Sequence, residues 1–242
     1  VSQVDSDLDR VDEAREEGPS HPARRWLVVG AALVVVLILG LGIGAFLARL
    51  IDNEPATVTP AAGSVEVGFA QDMSVHHLQA VTMANWARDH STDRQVEQLA
   101  FDIQSTQTEQ IGRMKGWLML WDQPEQAAGA PMAWMTEPMA GHSGHGQEAT
   151  GPSSGSLMPG MATTAELTKL RSLQGKELDV FFLQLMLRHH QGGTAMAQYA
   201  QEHSGLPALK ALVTSILASQ GAEADLITRM LASRGAQPLP PP

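Results

Sequence analysis

Two stretches of this sequence set adjacent histidines between methionines, with an acidic residue upstream. His76 and His77 stand between Met73 and Met83, with Glu66 before them; His189 and His190 stand between Met186 and Met196, with Asp179 before them. Imidazole, thioether and carboxylate are metal-ligating groups, and thiolate is missing from the set because the chain has no cysteine. Histidine with methionine suits copper: thioether favours Cu(I), while imidazole accepts Cu(II) or zinc. A di-iron bundle would want Glu-x-x-His on two helices, and a zinc protease His-Glu-x-x-His; neither occurs in the chain. No residue is assigned a catalytic role, and a redox enzyme would further need an open coordination position and a substrate route.

The two stretches are copies of one motif. Shifted by 113 residues, FAQDMSVHHLQAVTMANWARDHS (69–91) lies on FLQLMLRHHQGGTAMAQYAQEHS (182–204), so that Phe69 meets Phe182, Trp86 meets Tyr199, and His90 meets His203. Glu66 falls on Asp179. Beyond the motif Ile103 still faces Ile216, but Ile111 and Met114 resemble Ile227 and Met230 only if about three residues are inserted.

Positioning such residues requires helices. On a helical wheel Phe69, Met73, Ala80, Ala84 and Ala87 fall inside the arc of roughly 100° between His76 and His77. Met83 and His90 drift to its edge. The periodicity predicts helices over 65–89, 93–121, 176–202 and 206–233. Thr92 with Gln95 can cap the second, Ser204 with Pro207 suits the start of the fourth, and Gly235 can stop it. Thr163 with Glu166 forms a capping box for a short extra helix ending before Gly175. A hairpin cannot bury its own apolar face, so two of them closing on each other predict an all-α four-helix bundle. Its interior then holds imidazoles and carboxylates, which need either a hydrogen-bond network or a bound cation. Gly192 and Gly193 interrupt the second motif helix at a cost of roughly 1 kcal/mol each, so a helix or ligand approaching closely is the physical reason to seek.

The connector between the hairpins, 122–162, is rich in Gly, Ser, Pro, Met and His. It carries Met132, Met135, Met139, His142, His145, Met158 and Met161 in a segment with no evident core to pack, and such tracts can gather Cu(I) or divalent ions. Asp72, His90 and His203 are further candidate ligands; Asp72 has Leu185 as its counterpart, so the two sites need not be equal.

Residues 26–48 form an apolar run without charge, flanked by Arg24, Arg25 and Arg49, a bilayer's width of helix. A signal peptide has a shorter apolar core and a small-residue cleavage site, so an uncleaved transmembrane helix is expected. More arginines precede the run than follow it, which puts the N-terminus in the cytoplasm. The expected order is a disordered cytoplasmic tail (1–25), the transmembrane helix (26–48), a spacer (49–64), the first hairpin (65–121), the connector (122–162), a short helix with the second hairpin (163–234), and a disordered tail (235–242). A formal net charge of −10 argues against nucleic-acid binding and tolerates cations.

Residues 158–197, MPGMATTAELTKLRSLQGKELDVFFLQLMLRHHQGGTAMA, closely resemble the signature of domain-of-unknown-function family 305, and FAQDMSVHHLQAVTMA resembles its earlier half. The resemblance covers 64–233. It implies a ferritin-like four-helix bundle, secreted or membrane-tethered in bacteria, with some relatives linked to copper. It carries metal ligation over to His76, His77, Met73, Met83 and Glu66, and to His189, His190, Met186, Met196 and Asp179.

The expected function is a membrane-anchored extracytoplasmic protein that binds copper, or alternatively zinc, for storage, buffering or delivery. The competing reading is a structural or interaction module of a membrane assembly, and the hairpins could pair within one chain or across a homodimer. With a tag at each end and protease added to intact cells, the C-terminal tag should be digested and the N-terminal tag protected; the reverse pattern overturns the orientation.

Overall fold

A computed structural model describes residues 21–52, 59–136 and 157–240. The chain divides into two compact units, Val1–Val58 and Thr59–Pro242. In the first, helix α1 spans His21–Asp52. Its stretch Arg24–Arg49 is long and apolar enough to cross a membrane, and none of it is buried within the protein. A signal sequence would pass the same criterion. Of the expected tail over 1–25, residues 1–20 lie outside the described residues, as do spacer residues 53–58, while residues 21–25 belong to α1.

The second unit is all-α. Helices α2 (Val65–His90) and α3 (Arg94–Leu120) form one hairpin, α5 (Gly175–His203) and α6 (Pro207–Ser233) the other, and α2 packs against α5. This arrangement is consistent with a ferritin-like bundle. The Ser64 hydroxyl accepts from the Val67 N–H to start α2. The cap of α3 is Asp93, whose carboxylate accepts from Gln95 N–H, and not Thr92; the α6 cap position is Leu206, with Pro207 as first helical residue. Ser91 and Ser204 instead serve the turns, each hydroxyl accepting the N–H two residues on. The short helix α4 (Thr164–Ser172) opens on the expected Thr163–Glu166 capping box. It is held to α5 by buried Leu170 and by the Glu166–Arg188 ion pair at 2.8 Å.

The repeat runs through both hairpins without a gap. Helices α3 and α6 are each 27 residues long, and both their first and last residues differ by 113 in number, so the three-residue insertion expected from the apolar residues is not needed. Met114 pairs with Ile227 and Leu118 with Leu231, all of them buried. The apolar interior falls into two clusters. One holds Phe69, Met73, Met114, Met196 and Ile216; the other holds their repeat partners or counterparts Phe182, Met186, Ile227, Met83 and Ile103. A polar layer separates them.

Each acidic residue of the motif crosses to the opposite hairpin's turn. Ser204 Oγ donates to Glu66 Oε1 at 2.7 Å, and Gly205 N–H joins it at 3.0 Å. Ser91 Oγ donates to Asp179 Oδ1 at 2.6 Å. These paired links tie both ends of the bundle and require α2 and α5 to run antiparallel. Burial works to raise the Glu66 pKa, but the hydrogen bonds from Ser204, its own backbone and Gly205 prevail and hold it below its ordinary value of 4.5.

Replacing Ser91 or Ser204 by alanine should destabilise the unit by about 1–2 kcal/mol each, additively because the two lie at opposite ends, as read by urea denaturation at pH 7. A carboxyl whose pKa is lowered on folding stabilises above its ordinary value and loses that contribution as pH falls through the folded value. The deficit of S204A should therefore shrink as pH falls from 4.5 through the lower folded value; a deficit that stays constant through the whole acid range in which the unit remains folded would show that the Glu66 link contributes nothing.

Candidate metal centre

The polar layer between the two cores is built from the histidine pairs. All four imidazoles are at most 1% exposed. The rings run in the order His77, His76, His189, His190, with centroid separations of 6.4, 3.8 and 6.5 Å. The pseudo-twofold axis relating the hairpins passes between His76 and His189, which lie 37° from parallel.

Three of the rings are oriented by a partner on Nε2. His76 donates to the Pro159 carbonyl at 3.1 Å, His77 to Gln110 Oε1 at 2.8 Å, and His190 to Glu223 Oε2 at 2.6 Å. An N–H donated to a carbonyl or carboxylate fixes the tautomer and leaves the other nitrogen with an available lone pair. That nitrogen, Nδ1, has no partner in His76, His77 or His190, and His189 has none on either nitrogen. Gln107, on both polar atoms, and Gln220 Nε2 are likewise buried without partners. Leaving a buried polar group unpaired costs about 1–3 kcal/mol, so the layer is under-satisfied by protein alone.

Burial pushes the His76 pKa down to about 4, aided by His190 and opposed by the Pro159 hydrogen bond. Burial and the neighbouring His76 push His77 down to about 3. His189 is held well below 6.5 by burial first and then by the other three histidines. These rings are neutral at physiological pH, the form in which imidazole ligates metals.

The two glycines admit the site's covering. A Cβ on Gly192 would stand 2.1 Å from the Pro159 carbonyl oxygen, and one on Gly160, at φ +78°, would stand 2.5 Å from the Arg188 carbonyl oxygen. The end of the connector thus lies directly on the α5 backbone. A Cβ on Gly193 would come within 3.1 Å of His76 Cε1, so this glycine makes room for the ring itself. Gln79 pins the same segment by accepting from Ala162 N–H at 2.7 Å and donating to its carbonyl at 2.9 Å.

The remaining candidates separate from this layer. Glu66 and Asp179 serve the turns, and Ser91, which holds Asp179, lies 14 residues beyond His77, roughly 20 Å along a helix. Met73 and Met196 occupy one apolar core, Met83 and Met186 the other, so the four thioethers bracket the layer from both sides. Asp72 accepts from Met132 N–H at 2.6 Å and Trp134 Nε1 at 2.8 Å; burial raises its pKa against those bonds. His90 and His203 each stack on the aromatic ring four residues earlier and donate Nδ1–H to its carbonyl.

The expectation that the connector's methionines lack packing is corrected. Met158 is buried, and Met132, Met135 and Met161 pack against the same core, because Trp134 wedges between Phe69 and Tyr199 and draws the chain inward. Gly68 leaves the space this indole fills. Met139, His142 and His145 lie outside the described residues.

Sequence reading missed Gln107, Gln110, Gln220 and Glu223. The signal was available: the shift of 113 pairs Gln107 with Gln220 and Gln110 with Glu223. Both hairpins also place the partner 33 residues after its histidine.

Residues 66–231 match the family described as Domain of unknown function (DUF305). The chain is similar to a putative secreted DUF305 protein from Streptomyces coelicolor, at 42% identity and a TM-score of 0.64, covering 74% of this chain and 99% of that one. A DUF305 fragment from Deinococcus radiodurans is 31% identical with a TM-score of 0.57, covering 72% of this chain and 99% of the fragment. CopM in the Cu(I)-bound form overlays with a TM-score of 0.51 at 22% identity, covering 69% of this chain and 96% of CopM, a likeness of fold. No curated protein matches the chain. The duplicated histidine hairpin, with a family match over more than half of the sequence, makes this chain a member of the DUF305 family.

Proposed function

We propose that the bundle binds copper in the extracytoplasmic space, for storage, buffering or delivery, with α1 as a single-pass anchor and the N-terminus in the cytoplasm. The observation that carries this reading is the under-satisfied layer: imidazoles held through Nε2 by other elements, with buried nitrogens that have no partner. His76, His77, His189 and His190 would supply the imidazole ligands, and Met73, Met83, Met186 and Met196 are soft donors in the cores on either side. Imidazole and thioether together suit both copper oxidation states. That CopM has been solved with Cu(I), Cu(II) and silver supports the assignment. Among the described residues no three His, Cys, Asp or Glu side chains stand in a metal-holding cluster, and this favours the second reading, a metal-free structural layer.

Copper titration of residues 59–242 should find at least one ion per chain, and replacing both histidine pairs by glutamine should abolish it. Binding that survives both replacements would move the site to the connector, and no binding of Cu(I) or Cu(II) by the native sequence would leave the structural reading.

The buried imidazoles also set a pH dependence. Below 6.5 the unfolded chain gains protons on these histidines, whereas the folded bundle refuses them down to about pH 4 at His76. Stability should therefore be full above pH 6.5 and fall as pH drops towards 4, at a limiting slope of about 1.4 kcal/mol per pH unit for each such histidine. Denaturation of the metal-free unit at pH 7.5, 6 and 5 measures this, and H189Q should flatten the slope.

A further inference from the structure

We propose that Glu223 makes the two halves of the histidine layer unequal, giving the second hairpin's half a preference for a divalent cation and leaving the first half to a soft monovalent one. This assignment rests on the copper-binding reading and specifies which charge of ion each half accepts. Positions 110 and 223 are equivalent in the repeat, and each holds the Nε2 atom of the second histidine of its pair. The geometry is the same; the chemistry differs by one charge. Gln110 offers His77 a neutral amide oxygen at 2.8 Å, whereas Glu223 offers His190 a carboxylate at 2.6 Å.

Glu223 is 15% exposed beside a histidine that is 1% exposed, and among the described residues no lysine or arginine pairs with it. Its neighbour in the layer, Gln220, is neutral, as are Gln107 and Gln110 opposite, and Arg188 is engaged by Glu166. A carboxylate in this setting does two things for an ion held by His190 Nδ1. It raises the basicity of the imidazole through the shared proton, and it offsets ionic charge where little water does so. The second effect is twice as large for a divalent ion as for a monovalent one at the same place. The first half offers His76 the Pro159 carbonyl and His77 the Gln110 amide, dipoles without net charge, so a divalent ion there would remain uncompensated in the interior.

Redox-inert probes separate the two charges. The full chain in detergent is titrated with Zn(II) and with Ag(I) against competing chelators, comparing the native sequence with E223Q and Q110E. E223Q should weaken Zn(II) binding by about 10–100-fold, the range found when a carboxylate supporting a histidine ligand is removed, while Ag(I) affinity stays within about threefold. Q110E should strengthen Zn(II) binding at the first half. Equal weakening of both ions in E223Q, or unchanged Zn(II) affinity, overturns the assignment while leaving copper binding intact; a native chain that binds neither ion overturns both. If E223Q loses its helical circular dichroism, Q110E decides alone: a gain in Zn(II) affinity supports the assignment and no gain overturns it.

Discussion

Four imidazoles at the centre of a bundle, cut off from water, are the constraint around which the rest of this unit is arranged. An uncharged buried imidazole carries one donor and one acceptor, and each needs a partner or forfeits its solvation. Three of the eight ring nitrogens are met by Pro159, Gln110 and Glu223, and each partner comes from an element other than the helix bearing the histidine. Helix α3 must therefore sit on α2, helix α6 on α5, and the connector on both, in one register. The methionines and phenylalanines fill the cores above and below, where any apolar residue of similar volume would serve for packing alone.

The duplication makes this economical in sequence, because one hairpin solution is used twice. Serine in each turn takes the acid of the other hairpin, and the same spacing of 33 supplies each outer histidine with its acceptor. Several departures from symmetry fall where the single connector crosses. Gly192 replaces Gln79 and Gly193 replaces Ala80, since one side of the layer must receive a strand of backbone and the other pins it. As a result His76 has an acceptor and its counterpart His189 has none. The layer is thus polar and incomplete, with five of its eight ring nitrogens unpartnered among the described residues.

The motif acids illustrate how a residue can be placed correctly on a helix and still be misjudged in role. Glu66 and Asp179 share the inward arc of their helices with the histidines, so a wheel projection groups them. Projection discards distance along the axis, and that distance carries them to the bundle ends, where the turn serines wait. The glutamines were missed for the opposite reason: they lie on the partner helices, within reach of the layer, but their apolar neighbours match poorly across the repeat.

The sequence by itself determined the helices, their pairing into two equivalent hairpins, the apolar helix near the N-terminus and the histidines as the polar centre, because periodicity, caps and repetition are local properties of the chain. Tertiary structure decided which polar residues meet. Whether an acid reaches a histidine or a serine depends on axial offset between helices, and whether a methionine in the connector is free depends on where Trp134 lodges. The meaning of Gly192 and Gly193 likewise depended on what crosses them, since a missing side chain specifies a space and only the fold says that a backbone and a histidine ring fill it.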